Sequence, residues 1–205
     1  MATHRRALTG LLALTLLACS LPGLRGAAAS PAADNIAALI NLQKLATLGQ
    51  RGANPRVQKA VYWLVTAGQQ GQNVTNVAAL AVSRAGYTNT LAAQLTRDAL
   101  LRNVKIAEGY QCTNAAGMSD MRRGQSPTIQ RGSFQGDQLS VDHIIPRAVC
   151  PELDNVIANL ELMPLRANQS KNAKVGSRQL QKAQELHRAG LLSASGLKQV
   201  RSAAR

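Results

Sequence analysis

The stretch Leu139-Ser140-Val141-Asp142-His143-Ile144-Ile145-Pro146 decides how the chain is read. Its leucine and β-branched residues favour a strand, and the proline stops it. A second short strand fits Leu160–Met163. Pro164 then suits the first position of a helix running through Asn168 and Lys171. Strand, loop, strand and helix thus follow one another between Asp137 and Gly176. Adjacent residues on a strand point to opposite faces. Asp142 and His143 can therefore share a site only at a strand end, where the chain bends, and Pro146 fits such a bend.

Upstream, residues 34–110 read as four short helices. Asp34 can cap the first, with Ala38, Leu39, Leu42, Leu45 and Ala46 along one stripe and Gly49 after its end. Asn54-Pro55 reads as a cap followed by proline, with Val57, Ala60, Val61 and Leu64 at helical spacing. A third segment spans Thr75–Ala85, and a longer one opens at Thr90, carries Leu91, Leu95 and Ala99, and closes by Gly109. Residues 113–137 hold four glycines, Pro127 and the basic Arg122, Arg123 and Arg131, and read as a loop-rich connector. Downstream, a helix is expected from about Arg178 to Ala189, with weaker helical character over Gly196–Ala204. The fold class expected is α+β, mainly α, with a helical region over 34–110 and a second domain over 111–205.

Charge narrows the partners. The 205 residues carry 24 Lys+Arg against 10 Asp+Glu, a net charge of +14, so a polyanionic partner is expected. Aromatic residues make up only 2% of the chain, which argues against a single-strand binder built on stacked rings. The amino terminus reads as a targeting segment over residues 1–29: Arg5 and Arg6 precede an apolar run too short to span a membrane. Two exits are written into it. Leu16-Leu17-Ala18-Cys19 resembles a lipoprotein cleavage box, which would place a lipid anchor on Cys19, and Ala27-Ala28-Ala29 fits ordinary signal cleavage. The expected location is accordingly outside the cytoplasm: periplasmic, secreted or lipid-anchored. Losing residues 1–29 removes Arg5, Arg6 and Arg25 and no acid, which lowers the charge only to +11. An exported chain meets an oxidising compartment, so Cys112 and Cys150 are expected to form a disulfide.

The chemistry gathers in Asp142-His143, then Asn159-Leu160, then Asn168-Gln169-Ser170-Lys171. A hard divalent cation prefers oxygen ligands, and Asp142 with the amide oxygen of Asn168 supplies two. That leaves room for water and a phosphate, the usual habit of magnesium. An imidazole is mostly unprotonated at neutral pH and can accept a proton. With the basic charge, this set points to phosphodiester cleavage.

The ordered set resembles the HNH endonucleases, of the ββα-metal fold. Their pattern is Asp-His-x-x-Pro, a loop, Asn-Leu, then Asn-x-x-Lys on a helix, and Asp142-His143, Pro146, Asn159-Leu160 and Asn168-x-x-Lys171 follow it in order. The resemblance implies that His143 is the general base and that Asp142 and Asn168 hold one divalent metal, Mg2+ or another such as Mn2+. It also implies that Asn159 steadies the loop and orients His143, while Lys171 neutralises phosphate or anchors the helix. Arg147 and Arg166 flank the motif as candidate phosphate contacts. Relatives that carry a structural zinc have Cys-x-x-Cys where this chain has Pro164 and Ala167, so no structural zinc is expected. The expectation is an exported metal-dependent endonuclease acting on nucleic acid, with DNA the expected substrate. A non-catalytic nucleic-acid- or envelope-binding protein on the same scaffold is the alternative.

Overall fold

The computed structural model of the chain describes residues 30–48, 52–171 and 173–204. The targeting segment, Cys19 and the helix end at Gly49 lie outside them. Nine helices and a two-stranded antiparallel sheet make up the described residues, a mainly helical α+β architecture. In order they are α1 (Pro31–Ile40), α2 (Leu42–Thr47), α3 (Ala53–Gln69), α4 (Val74–Arg84), α5 (Thr90–Gly109), α6 (Ala115–Arg123), β1 (Leu139–His143), β2 (Leu160–Pro164), α7 (Leu165–Ser170), α8 (Ser177–Arg188) and α9 (Ala194–Ala203). No helix among the described residues is long and apolar enough to cross a membrane.

The first helix differs from its sequence reading. Its cap is Ser30, whose Oγ accepts from Ala33 N, with Pro31 in the first turn. Asp34 instead forms an exposed ion pair with Arg84. The helix breaks at Asn41, which caps α2 by accepting from Lys44 N. The buried stripe is Ala32, Ala33, Ile36, Ala37 and Ile40, a different phase from the one expected. Helices α3, α4 and α5 stand where the periodicity placed them, with Val57, Ala60, Val61 and Leu64 buried. Gly52 caps α3, and Asn54 lies in its first turn.

The connector is not all loop, because α6 occupies Ala115–Arg123. Asn114 caps it by accepting from Gly117 N, and Gly124 ends it in the left-handed conformation at φ 78°. A Cβ on Gly124 would also meet Pro55 Cβ at 2.9 Å, so conformation and contact both demand glycine.

Strands β1 and β2 pair from Leu139↔Pro164 to His143↔Leu160, which sets Asp142 opposite Glu161. Leu139, Leu160 and Leu162 join the main core with α1, α3, α4 and α5, so residues from both sides of position 110 share one apolar cluster. A second cluster holds Ile145, Cys150, Leu153, Ala183, Leu186 and Val200, which seats α8 and α9 under the loop after β1.

A sheet of two strands has two open edges, and unpaired edge groups buried from water are costly. Side chains close both. On the free edge of β1, Gln58 donates to Leu139 O at 2.7 Å and Asn54 Oδ1 accepts from Val141 N at 3.2 Å. On the free edge of β2, the buried Asn103 donates to Leu160 O at 3.2 Å and accepts from Leu162 N at 2.7 Å. The helical region therefore acts as a clamp of amide side chains around the hairpin.

The expected disulfide between Cys112 and Cys150 is not formed. Both thiols are free and buried, Cys112 in the main core and Cys150 in the second cluster. Cys112 Sγ turns onto the carbonyls of Thr128 at 3.6 Å and Tyr110 at 3.8 Å, and burial pushes its thiol up to about 11. Burial raises the Cys150 thiol as well, with Glu152 adding to the shift.

Candidate active site

His143 ends β1, and the loop that follows returns to hold it. Its Nε2 lies 2.9 Å from Asp154 Oδ1 and 3.1 Å from Asp154 O. Carbonyl and carboxylate oxygens only accept, so Nε2 carries the proton and donates. In a neutral ring the lone pair is then on Nδ1, which makes Nδ1 the basic atom. The His143 side chain is 21% exposed and that of Asp154 only 8%. Behind Asp154 stands the buried Arg56 of α3, whose charge is felt across to the carboxylate. Burial lowers Arg56 from its ordinary value, and proximity to Asp154 partly restores it.

Asn159 is fully buried and clamps the turn after His143. Its Oδ1 accepts from Ile145 N at 2.9 Å and its Nδ2 donates to Ile145 O at 3.1 Å, while its own carbonyl accepts from Ile144 N at 2.8 Å. It steadies the loop, as the motif implied, but the imidazole is held by Asp154. Asn159 is thus a positioning residue.

Helix α7 approaches the free edge of β1. Asn168 Nδ2 donates to Val141 O at 3.2 Å and to Ser140 Oγ at 3.3 Å. One turn on, Lys171 donates to His143 O at 3.1 Å and forms an ion pair with Asp142. The buried Asp142 carboxylate therefore has a cation against it in this structure. With its amide nitrogen bonded to the strand, Asn168 keeps its carbonyl oxygen, the atom a hard cation takes. One carboxylate oxygen and one amide oxygen suit a hydrated hard cation of the magnesium type. No group of three or more His, Cys, Asp or Glu that could hold a metal occurs among the described residues.

The hairpin and α7 thus bring Asp142, His143, Asn159, Asn168 and Lys171 into one neighbourhood. One flanking arginine stands apart from it. Arg166 is directed to the other end of β1, with its N–H on Asp137 Oδ2 at 2.9 Å and its guanidinium 6.0 Å from the Phe134 ring. Those contacts, the Arg166 backbone N–H first, hold the Asp137 carboxyl below its ordinary value. Arg147 lies half-buried in the turn after Pro146 with no polar partner among the described residues. The motif does not reach Asp154, and nothing in the sequence pattern marks it as a partner of His143. It sits inside the Pro146–Asn159 loop, the segment that folds back over His143.

Glu161, opposite Asp142, is also buried, and it is neutralised from α8 and α5. Arg178 Nη2 donates to both of its oxygens at 2.8 Å, and Arg102 Nε stands 3.9 Å away. His187 Nδ1 lies 2.9 Å from Leu192 O, a structural contact at the end of α8. Comparisons with protein-family models, with curated proteins and with solved structures find no match to this chain.

Proposed function

We propose that the chain is an exported, metal-dependent endonuclease of the HNH type that hydrolyses phosphodiester bonds in DNA. The observation that carries the reading is the His143 imidazole, with Nε2 committed to Asp154 and Nδ1 left as the base, beside a buried carboxylate that already faces a cation. The basic composition supports a polyanionic substrate, and the leader-like residues 1–29 support export.

In this reading His143 Nδ1 takes a proton from the attacking water, and the imidazolium that forms is stabilised by Asp154 through Nε2. Asp154 keeps the ring in one tautomer, and Asn159 keeps the loop that carries Asp154 in place. Asp142 and Asn168 would hold one divalent ion, which when bound supplies positive charge to the scissile phosphate and its leaving oxygen. Lys171 exchanges its contact with Asp142 for one with substrate phosphate, while its bond to His143 O keeps the end of α7 on the strand. Arg147, with no polar partner among the described residues, is available to phosphate. Arg166 serves the far end of the hairpin.

Plasmid nicking by the purified chain tests the reading. Magnesium-dependent nicking that chelator abolishes and His143→Ala removes is expected. A second reading, a non-catalytic exported nucleic-acid-binding protein, is favoured by the Lys171–Asp142 pair, because that pair neutralises the carboxylate without any metal. DNA binding with no nicking in any divalent ion would select it.

A further inference from the structure

We propose that the pocket bounded by Arg102, Ile144, Arg178, Gln181, Lys182 and Glu185 is a binding subsite for a phosphodiester group of the nucleic-acid strand, flanking the bond cut at His143. The inference rests on the nuclease reading for its substrate class, and on separate residues for its geometry.

Position comes first. Ile144, which lines the pocket, follows His143 directly, and Glu161 beside the pocket is the cross-strand partner of Asp142. The pocket therefore adjoins the same end of the hairpin as the candidate active site. Arg178, Gln181, Lys182 and Glu185 recur at i, i+3, i+4 and i+7, so α8 presents them on one face. Arg102 of α5 closes the opposite wall. The space, about 230 Å³, is open to solvent, and five of its six lining side chains end in polar or charged groups.

Donor chemistry comes second. A single nitrogen of Arg178 serves both oxygens of Glu161, and the side chain is 60% exposed, so the N–H groups of Nε and Nη1 remain to donate to a phosphate. Arg102 Nε is buried without a hydrogen-bond acceptor. Among the described residues Lys182 has one carboxylate partner, Glu185, at 3.5 Å, for three ammonium donors. Three cations here are ion-paired with two carboxylates, Glu161 and Glu185, while Asp98, whose charge also reaches Arg102, is itself paired with Arg97. Burial lowers both Arg102 and Lys182 from their ordinary values, so an incoming anion relieves a cost already present.

Gln181 gives a clean test, because it lines the pocket and its side chain has, among the described residues, only a long 3.5 Å contact with Glu185. Binding of a labelled DNA duplex is titrated by anisotropy in chelator at several salt concentrations, with wild type, Gln181→Glu, Gln181→Lys and Arg178→Ala. The glutamate variant should weaken binding about 3- to 10-fold at low salt, and the lysine variant should tighten it by a similar factor. Arg178→Ala should lower the salt slope by about one, uniformly across DNA sequences. In magnesium, Gln181→Glu should raise KM with kcat unchanged. If the wild type binds and nicks while both Gln181 variants match it, the subsite is wrong and the nuclease reading stands. Charge-dependent binding without nicking leaves the subsite and removes the nuclease. Inorganic phosphate that binds the chain while DNA affinity ignores residue 181 assigns the pocket to a free anion and overturns the proposal. A wild-type chain that binds no duplex overturns both.

Discussion

Replacing Asp154 separates what its charge does for His143 from what its shape does. A hydrogen bond to a charged group contributes roughly 1.5–3 kcal/mol. The His143–Asp154 contact qualifies for that range, at 2.9 Å with both side chains largely withdrawn from water. Asp154→Ala removes the whole interaction. With about 1.4 kcal/mol for each factor of ten, turnover should fall about 10- to 150-fold. Asp154→Asn keeps an oxygen that accepts from Nε2 and loses only the charge. A charge-assisted bond is roughly twice as strong as a neutral one, so the asparagine variant should lose only about 3- to 15-fold. KM should stay put in both, because neither change touches a phosphate contact. The assay is initial-rate plasmid nicking in saturating magnesium, run where circular dichroism shows the variants folded, since Arg56 loses a countercharge in each. An alanine variant within twofold of wild type would refute this account of the base. Equal losses in the two variants would refute the role given to the charge.

Asn103→Leu should cost about 2–4 kcal/mol, because Leu162 N–H loses its buried partner while Leu160 O keeps Arg102 at 3.3 Å. A denaturant melt followed by the fluorescence of Trp63 measures it, and a change under about 0.5 kcal/mol would contradict the edge clamp. Lys171→Met leaves Asp142 buried without its cation, so the variant should melt lower than wild type and recover more on adding magnesium; equal magnesium shifts would deny a metal at Asp142. Neither thiol should react with an alkylating agent at pH 8 until denaturant is added, and a reductant should leave Tm unchanged. Because burial raises Cys112 to about 11, its share of stability is full below the ordinary thiol range and lost as pH rises through that value, which a pH series of melts would register. DNA affinity should fall on the order of 10³-fold between 50 and 200 mM salt if about six phosphates are neutralised, and a salt-independent affinity would contradict this.

Much of the hairpin was legible because its signals are local. A run of β-branched residues ended by Pro146, and Pro164 ahead of Asn168 and Lys171, mark strand and helix within a few positions. The core of α3 was legible for the same reason, through plain apolar periodicity of Val57, Ala60, Val61 and Leu64. The clamps were not, since Gln58 and Asn103 are buried polar residues on helices, and periodicity reads polar as outward. Helix α6 buries only Gly117 and Met121, too little for a stripe, although Asn114 and Gly124 bracket it as caps. The first helix slipped phase because Ser30-Pro31 outcompetes Asp34 as its start. Asp154 and Arg56 lie 98 residues apart and meet only through the tertiary fold, which no spacing rule reports.

The amide clamps bear on when the site can exist during folding. A lone two-stranded hairpin is marginal in water, and this one must also close a connection that runs from Ile144 to Asn159. Its outer groups at Leu139 O, Val141 N, Leu160 O and Leu162 N find these partners only after α3 and α5 have packed, so pairing of β1 with β2 belongs on the late side of the folding barrier. Ribosomes deliver α3 and α5 before the hairpin, which gives the scaffold a head start over the residues of the candidate site. A chain cut back to the hairpin and the helices after it would present bare strand edges to its neighbours and would be expected to associate or precipitate before it could cut anything. Catalytic competence would then be a property of the finished molecule, acquired in the last step of its folding.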